Sequence, residues 1–506
     1  MAEARERLLG VDLGAGSLKA TVIDRHGSLL GEASAPIETA SPRPGWSEQD
    51  PESWVAAFHQ AVPQALERAG AAAEDLAALC ISAGAHTQVL LDREDRVIRP
   101  AILWSDQRAA AESDALHARA GQRIIEVGYN RVNPTWTIAQ LYWLQSHEPE
   151  AVARTARLFL AKDYLRFRIT GDWHTDLSDG VGALMADPAQ GTWSEELCDL
   201  IDWPLERLPP IIGASDIAGR VTAEAAARSG LKEGTPVVTG SNDTTVEIFG
   251  AGVITPGQGA IKLATAGVVY QVAEGPKVAP PVSCYPHIIE GLTYTATGTN
   301  ACASAHRWLR DEFFAPNAAF SGGQLFADMD KMAALVPAGS EGLLYHPFML
   351  GERAPYWDPR LKAHFLGLSF RHGRQHFARA LYEGVAFSIR DLMAAAGTPA
   401  DSFSEIRIIG GGARSALWRQ IVADVLGVEI ARPANGEASY GAALIAGLGV
   451  GLFETPEQAA AIGGRALDAS RPDPANHALY TTLFEIYKDA QARLVEIDHR
   501  LSELFG

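Results

Sequence analysis

The feature that most restricts what this chain can become is a short pattern that occurs twice, roughly half a chain apart. Leu8–Leu13, Lys19–Ile23 and Leu29–Ala33 are apolar stretches separated by a glycine-rich turn and by Asp24-Arg25-His26-Gly27, which predicts a three-stranded meander. From Ala260 to Gln271 an apolar strand again meets a small-residue turn and returns, with Ala266-Gly267 matching Ala15-Gly16. Two hairpins so placed predict a duplicated, two-domain architecture.

Helical periodicity at Pro51–Ala69, Arg108–Ala120 and Thr137–Ser146 alternates with strands at Leu76–Ser82 and Gln88–Leu91, the signature of an α/β fold. At 506 residues the chain exceeds what one core supports. Gly250 to Gly259 holds four glycines and Pro256 and is where the halves should divide. The expected organisation is an N-terminal domain over 1–250, a C-terminal domain over 251–454, and peripheral helices without assigned chemistry over 455–506.

Charge narrows the partners. With 43 basic and 61 acidic residues the formal charge is −18, which repels nucleic-acid phosphates and anionic membrane surfaces, so neither is an expected partner. A small molecule is favoured, and ATP stays compatible because metal ions and backbone N–H groups, not net charge, hold phosphates. Cys80, Cys198, Cys284 and Cys302 are scattered without metal-ligand spacing and read as reduced thiols. Met1 to Arg7 is charged and leads straight into a strand, and the longest apolar tract, Tyr440–Phe453, is shorter than the roughly 20 residues of a membrane helix. A cytoplasmic location is expected.

Three loops carry chemistry. Asp12-Leu13-Gly14-Ala15-Gly16-Ser17-Leu18-Lys19 turns backbone N–H groups into a concave loop whose glycines let an anion approach, with Asp12 placed to partner a hydrated magnesium ion. It lacks the Gly-Lys-Ser/Thr ending and the following helix of a Walker loop. Ile406 to Ser415 sets Gly410-Gly411-Gly412 between an apolar strand and a helix starting near Ser415, whose N-terminus offers unpaired N–H groups to a nucleotide. Gly240-Ser241-Asn242-Asp243-Thr244-Thr245 follows the strand Pro236–Thr239 as a turn and delivers Asp243 at the strand end, where a carboxylate can abstract a proton. Two phosphate-type loops and one acid suggest phosphoryl transfer. His86, at another strand end, and Trp104 with Asp106 supply the hydrogen-bonding groups and the aromatic face that suit a polyol.

Together these residues resemble the FGGY family of carbohydrate kinases, most closely its xylulokinase branch. The likeness runs from the Asp12 loop to about Gly447 and includes Pro44–Pro51, Trp104–Arg108, Gly351–Pro359, a signature from Ala363 to Glu383, and Gly410–Gln420. The resemblance implies an actin-like ATPase fold, two ribonuclease-H-like domains closing a central cleft on ATP and sugar. It implies that Asp243 is the catalytic base and that Asp12 and Asp243 serve the magnesium site. By the same likeness Gly14, Ser17 and Lys19 with Thr265 and Gly267 hold phosphate, and Gly411, Gly412 and Ser415 border the adenosine. His86, Trp104, Asp106, Asp243 and Thr244 would face the sugar, and the chain would be a homodimer.

The implied reaction is transfer of the γ-phosphate of ATP to a hydroxyl of a ketopentose, D-xylulose first. Another ketose, a pentitol or gluconate stands behind it, and an actin-like ATP switch is the alternative of another class. Departures from the family's patterns fall at several positions, of which Ala85–Thr87 and Thr244 would line the sugar site. Ala85-His86-Thr87 stands for the branch's Met-His-Gly, Thr244 for a smaller residue or Asn, and Gln140 for a lysine. Ala15 and Ala264-Thr265-Ala266-Gly267 depart from the usual phosphate loops. Such changes alter hydroxyl matching, since one unpaired buried polar group costs about 1–3 kcal/mol.

Overall fold

The computed structural model describes residues 6–278, 282–314 and 322–505. Its first half is built on a six-stranded sheet from β1 (Arg7–Leu13), β2 (Ser17–Asp24), β3 (Leu29–Pro36), β4 (Leu76–Ala83), β5 (Ile217–Arg220) and β6 (Pro236–Val238), in the order β5-β6-β4-β1-β2-β3. The second half carries a seven-stranded sheet from β7 (Gln258–Leu263), β8 (Gly267–Glu274), β9 (Ser283–Pro286), β10 (Leu292–Gly298), β11 (Glu405–Ile409), β12 (Ile430–Pro433) and β13 (Ala466–Ser470), in the order β9-β10-β8-β7-β11-β12-β13.

The two sheets repeat one plan. In the first, β1 pairs antiparallel with β2 and β2 with β3, while β1 runs parallel to β4 and β4 to β6. In the second, β7 pairs antiparallel with β8 and β8 with β10, while β7 runs parallel to β11 and β11 to β12. This is the duplicated, actin-like α/β architecture expected from the paired hairpins.

Two helices cross between the sheets. α1 (Asp243–Gly250) begins where Asn242 accepts from the Thr245 N–H at 3.0 Å, a favoured N-cap. The residues behind β6 therefore form a helix start, not the expected turn: an Asx cap outcompetes a reversal, and Asp243 suits the first helical turn, where acidic side chains are favoured. α2 (Ala438–Gly449) lies on β1 although it comes late in the chain. Gly10 makes that possible, because a Cβ there would come within 1.8 Å of the Ser439 carbonyl oxygen. Thr21 and Ser439 hydroxyls meet at 2.7 Å across the same contact.

The helix read from Arg108 starts later, at Ala110, and runs to Gly128. Asp106 captures the Arg108 N–H at 2.8 Å and holds the chain out of the helix for two more residues. Residues 455–506, read as peripheral helices, also supply β13, which pairs antiparallel with β12 at the sheet edge before the long helix Pro474–Phe505. Among the described residues no helix is long and apolar enough to cross a membrane.

Candidate active site

Asp12 and Asp243 approach each other from the two sides of β4. Asp12 lies in register with Ser82 of β4, whose hydroxyl donates to its carboxylate at 2.9 Å. Burial, then the charge of Asp243, lifts the Asp12 carboxyl to about 7, against the Ser82 hydrogen bond and the charge of Lys262. Two acids crowded in this way, with the charge of Lys262 only partly opposing their repulsion, form a donor set that a divalent cation would relieve. Magnesium asks for one or two carboxylates plus phosphate oxygens, and Asp12 and Asp243 fit that need.

The Asp243 segment is held from behind by a buried polar network. Asp176 accepts from the Ser241 hydroxyl at 2.7 Å, the Asn242 amide donates to Ser178 Oγ at 2.9 Å, and Lys162, fully buried, pairs with Asp163, Asp176 and Asp179. The Ser241–Asp176 and Asn242–Ser178 bonds tie the loop to the segment 162–179, which Lys162 braces from within, so Asp243 has little freedom to move. Its Oδ1 accepts from the Thr244 N–H at 2.8 Å.

One turn further along α1 stands Glu247, which accepts from Lys262 Nζ at 2.6 Å. Burial alone would depress the lysine, but the charge of Glu247 holds its pKa well above the ordinary value, so it stays cationic. Lys262 lies on β7, so this ion pair joins the halves directly behind the acids. Sequence reading missed both residues, although the i, i+4 spacing from Asp243 to Glu247 was visible.

The first phosphate-type hairpin follows directly on Asp12 and the second directly on Lys262. In the first, the Gly14 N–H donates to Ser17 O at 3.1 Å to close the turn, Gln49 steadies the Ala15 carbonyl at 2.6 Å, and Ala15 and Gly16 are exposed. In the second, the Thr265 carbonyl accepts from Cys302 N–H at 3.0 Å, Arg307 donates to Thr265 Oγ1 at 3.2 Å, and the exposed Thr265 leads into buried Gly267. Arg307 was not foreseen.

Three of the expected contacts are different in the structure. Lys19 shares a sheet face with Asp12, but its ammonium is drawn to Glu32 at 2.9 Å and Glu437 at 3.6 Å, beside a cavity of about 250 Å³ that Gly410, Arg414 and Asn435 close from the other half. Of the triple glycine, Gly411 faces open space, whereas Gly412 is packed against Leu263 and Trp418, and the Ser415 hydroxyl accepts from the Trp418 N–H as a helix cap. Asp106 cannot face a sugar. It is fully buried, accepts from Ser47 N–H and Arg108 N–H, and pairs with Arg108 at 2.7 Å, which saturates its oxygens. Its role is to hold the loop that carries Trp104.

Trp104 itself is 46% exposed, with its indole standing over Gly84 beside His86. His86 Nε2 lies 3.2 Å from the Tyr285 hydroxyl, and burial depresses the ring to about 4, opposed by the Thr135 backbone, so it is neutral at ordinary pH. Trp136 packs on His86 with centroids 4.2 Å apart. Tyr285, on β9, stacks in turn on Tyr294, whose hydroxyl meets Thr245 Oγ1 at 2.8 Å. Asn130 clamps Cys284 through both its backbone groups, at 2.8 and 2.9 Å, and so fixes Tyr285 against the first half. The result is an aromatic wall with a neutral imidazole and a carboxylate at one end, suited to the C–H faces and hydroxyls of a polyol. Trp136 and Tyr285 were missed because their meeting joins a helix start and a strand far apart in sequence.

The N-terminal domain of the FGGY family of carbohydrate kinases matches residues 7–250, and the C-terminal domain of that family matches residues 260–450. The chain is 33% identical over 504 residues to the xylulose kinase of Lactococcus lactis, with 98% of each chain covered. It is 32% identical over 472 residues to the glycerol kinase of Aromatoleum aromaticum, with 90% of this chain and 92% of that one covered. The crystal structure of xylulose kinase from Rhodospirillum rubrum superposes with a TM-score of 0.86 at 30% identity, over 97% of this chain and 100% of that one.

Proposed function

The chain belongs to the FGGY family of carbohydrate kinases, and from that premise we propose that it transfers the γ-phosphate of ATP to a primary hydroxyl of a ketopentose, D-xylulose first. The observation that carries the reading is the meeting of Asp12 and Asp243 at the mouth of two glycine-bearing hairpins, one from each copy of the duplicated fold. Phosphoryl transfer asks chiefly for positioning and for neutralisation of charge, and two hairpins from opposing sheets supply both.

In this reading Asp243 accepts the proton of the attacking hydroxyl, held still by the Asp176–Ser241 network. A magnesium ion held by Asp12 and Asp243 would neutralise charge on the phosphate oxygens. The backbone of Gly14 to Ser17 and of Thr265 to Gly267 binds phosphate, and the open backbone at Gly411 borders the nucleoside. His86, neutral, exchanges hydrogen bonds with sugar hydroxyls while Trp104, Trp136 and Tyr285 cover the carbon faces. Four buried, unbridged cysteines support a reducing, cytoplasmic setting.

Overall identity does not choose the sugar, because relatives named for xylulose and for glycerol stand at nearly equal identity. The choice rests with the pocket. An ADP-release assay with magnesium-ATP and a panel of ketopentoses, pentitols, glycerol and gluconate tests the reading: D-xylulose should give the highest kcat/KM. Preference for another polyol would move the substrate and make Ala85, Thr87 and Thr244 its determinants. ADP release that no sugar stimulates would overturn the kinase reading in favour of an actin-like switch.

A further inference from the structure

We propose that Arg353 binds the phosphoryl group itself, gripping its oxygens as it passes from nucleotide to sugar. The inference rests on the kinase reading and gives a task to the segment Gly351–Pro359, to which that reading assigns none.

The acid nearest to Arg353 in sequence is already engaged elsewhere. Glu352 is buried, and its carboxylate accepts from the Thr299 hydroxyl at 2.5 Å, the Asn300 N–H at 2.8 Å and the Arg353 N–H at 2.7 Å. Backbone and hydroxyl donors thus satisfy it, and among the described residues the Arg353 guanidinium forms no ion pair. An exposed guanidinium without a protein counter-anion can take an anion from outside the chain.

The seat is built for the side chain. Arg353 Nε donates to the Gly298 carbonyl at 3.1 Å, and a Cβ on Gly298 would come within 2.2 Å of Nη2. Gly298 ends β10 opposite Val268, the neighbour of Gly267, and the Thr299 N–H donates to the Gly267 carbonyl at 2.8 Å. The arginine therefore stands directly beside the second phosphate hairpin. With Nε pinned, neither Nη atom has a hydrogen-bond partner among the described residues, and the side chain is exposed. After burial, the charges of Asp243 and Arg353 both bear on the Tyr285 hydroxyl, in opposite directions. A planar fork of donors matches phosphoryl oxygens two at a time, and it acts where charge spreads over those oxygens during transfer.

The test compares wild type, Arg353→Ala and Arg353→Lys. Calorimetry with magnesium-ADP and with a magnesium-loaded non-hydrolysable ATP analogue should show ADP affinity within about twofold of wild type and analogue affinity reduced about tenfold in Arg353→Ala, the loss of one charge-assisted contact. The kcat for the preferred sugar should fall about 100-fold or more, a cautious figure beside the losses known for arginines that stabilise transferring phosphoryl groups. Added guanidinium ion should restore part of that turnover. Arg353→Lys keeps the charge and loses the fork, so it should retain the fold and still lose kcat. Wild-type kcat and analogue affinity in either variant would overturn the proposal. Failure of the wild type to bind either nucleotide would overturn the kinase reading and the proposal with it.

Discussion

Trp136 and Tyr285 stack across the two halves of the chain, their ring centroids 6.0 Å apart and their planes within 3° of parallel. The first ring comes from the segment before a helix of the first half and the second from the edge strand of the second sheet. The same tyrosine lies with its hydroxyl 3.2 Å from His86 Nε2, so the aromatic wall proposed for the sugar exists only when both halves contribute. Tyr285→Phe removes one neutral hydrogen bond, worth about 0.5–1.5 kcal/mol, and should raise the sugar KM about 2- to 10-fold with kcat little changed. Steady-state kinetics with the preferred sugar checks this, and a fall in kcat at constant KM would contradict it.

Asp243→Asn keeps the shape of the helix start and removes the proposed proton acceptor. Turnover should drop about 10²- to 10⁴-fold, the usual contribution of a general base, while nucleotide binding persists. Unchanged turnover would remove Asp243 from the mechanism.

Lys262→Met leaves the Glu247 carboxylate buried and unpaired, since the ammonium at 2.6 Å is its only ion-pair partner among the described residues. Breaking a buried pair from one side costs about 3–5 kcal/mol, which urea unfolding can read. The double variant Lys262→Met, Glu247→Leu should recover most of that loss, because the apolar pair needs no counter-charge.

Asp106→Asn separates a structural acid from a sugar ligand. Arg108 pairs with Asp106 at 2.7 Å and with Glu48 at 2.7 Å, and its guanidinium lies 3.7 Å from the Trp46 ring centroid. Weakening this buried cluster should lower the unfolding free energy by up to about 3–5 kcal/mol, with a smaller effect on the sugar KM of the folded fraction. A large KM change at undiminished stability would restore Asp106 to the sugar site.

His287 sets a pH limit on stability. Its Nδ1 accepts from the Ile289 N–H at 3.0 Å and its Nε2 donates to the Val253 carbonyl at 3.1 Å, a pattern that only the neutral ring can satisfy. Burial depresses its pKa to about 4, against the Val253 bond, from an unfolded value near 6.5. The unfolded chain thus binds more protons between these values, and stability should fall as pH drops from about 6.5 toward 4, by about 1.4 kcal/mol per unit of pH for each such histidine. His86 and His346, depressed to about 4 by burial, act in the same direction. Urea midpoints at pH 7.5 and 5.0 check the sign, and a shallower drop in His287→Leu isolates this residue.

Much of the fold was legible because its signals are local. The hairpins at Leu8–Ile23 and Ala260–Gln271 announced themselves through strand periodicity and small turn residues, and their likeness foretold the repeated sheet plan. The start of α1 is ambiguous in sequence, since Gly-Ser-Asn-Asp-Thr-Thr suits both a reversal and an Asn-capped helix, and only the packing of Val246, Ile248 and Phe249 behind it decides for the helix.

By itself the sequence determined the duplicated α/β plan, the two glycine-bearing hairpins and the place of Asp243 behind a strand, all encoded in residues a few positions apart. The tertiary structure alone decided which polar side chains are free to act. Asp106 and Lys19 were spent on Arg108 and on Glu32 with Glu437, whereas Arg353 was left without an ion-pair partner among the described residues, and Lys262 and Tyr285 were carried across from the second half to meet Glu247 and Trp136. The reason is the short reach of hydrogen bonds and ion pairs. A carboxylate is silenced or exposed by what lies within about 3 Å of it, and those neighbours come from segments that only the folded chain brings together.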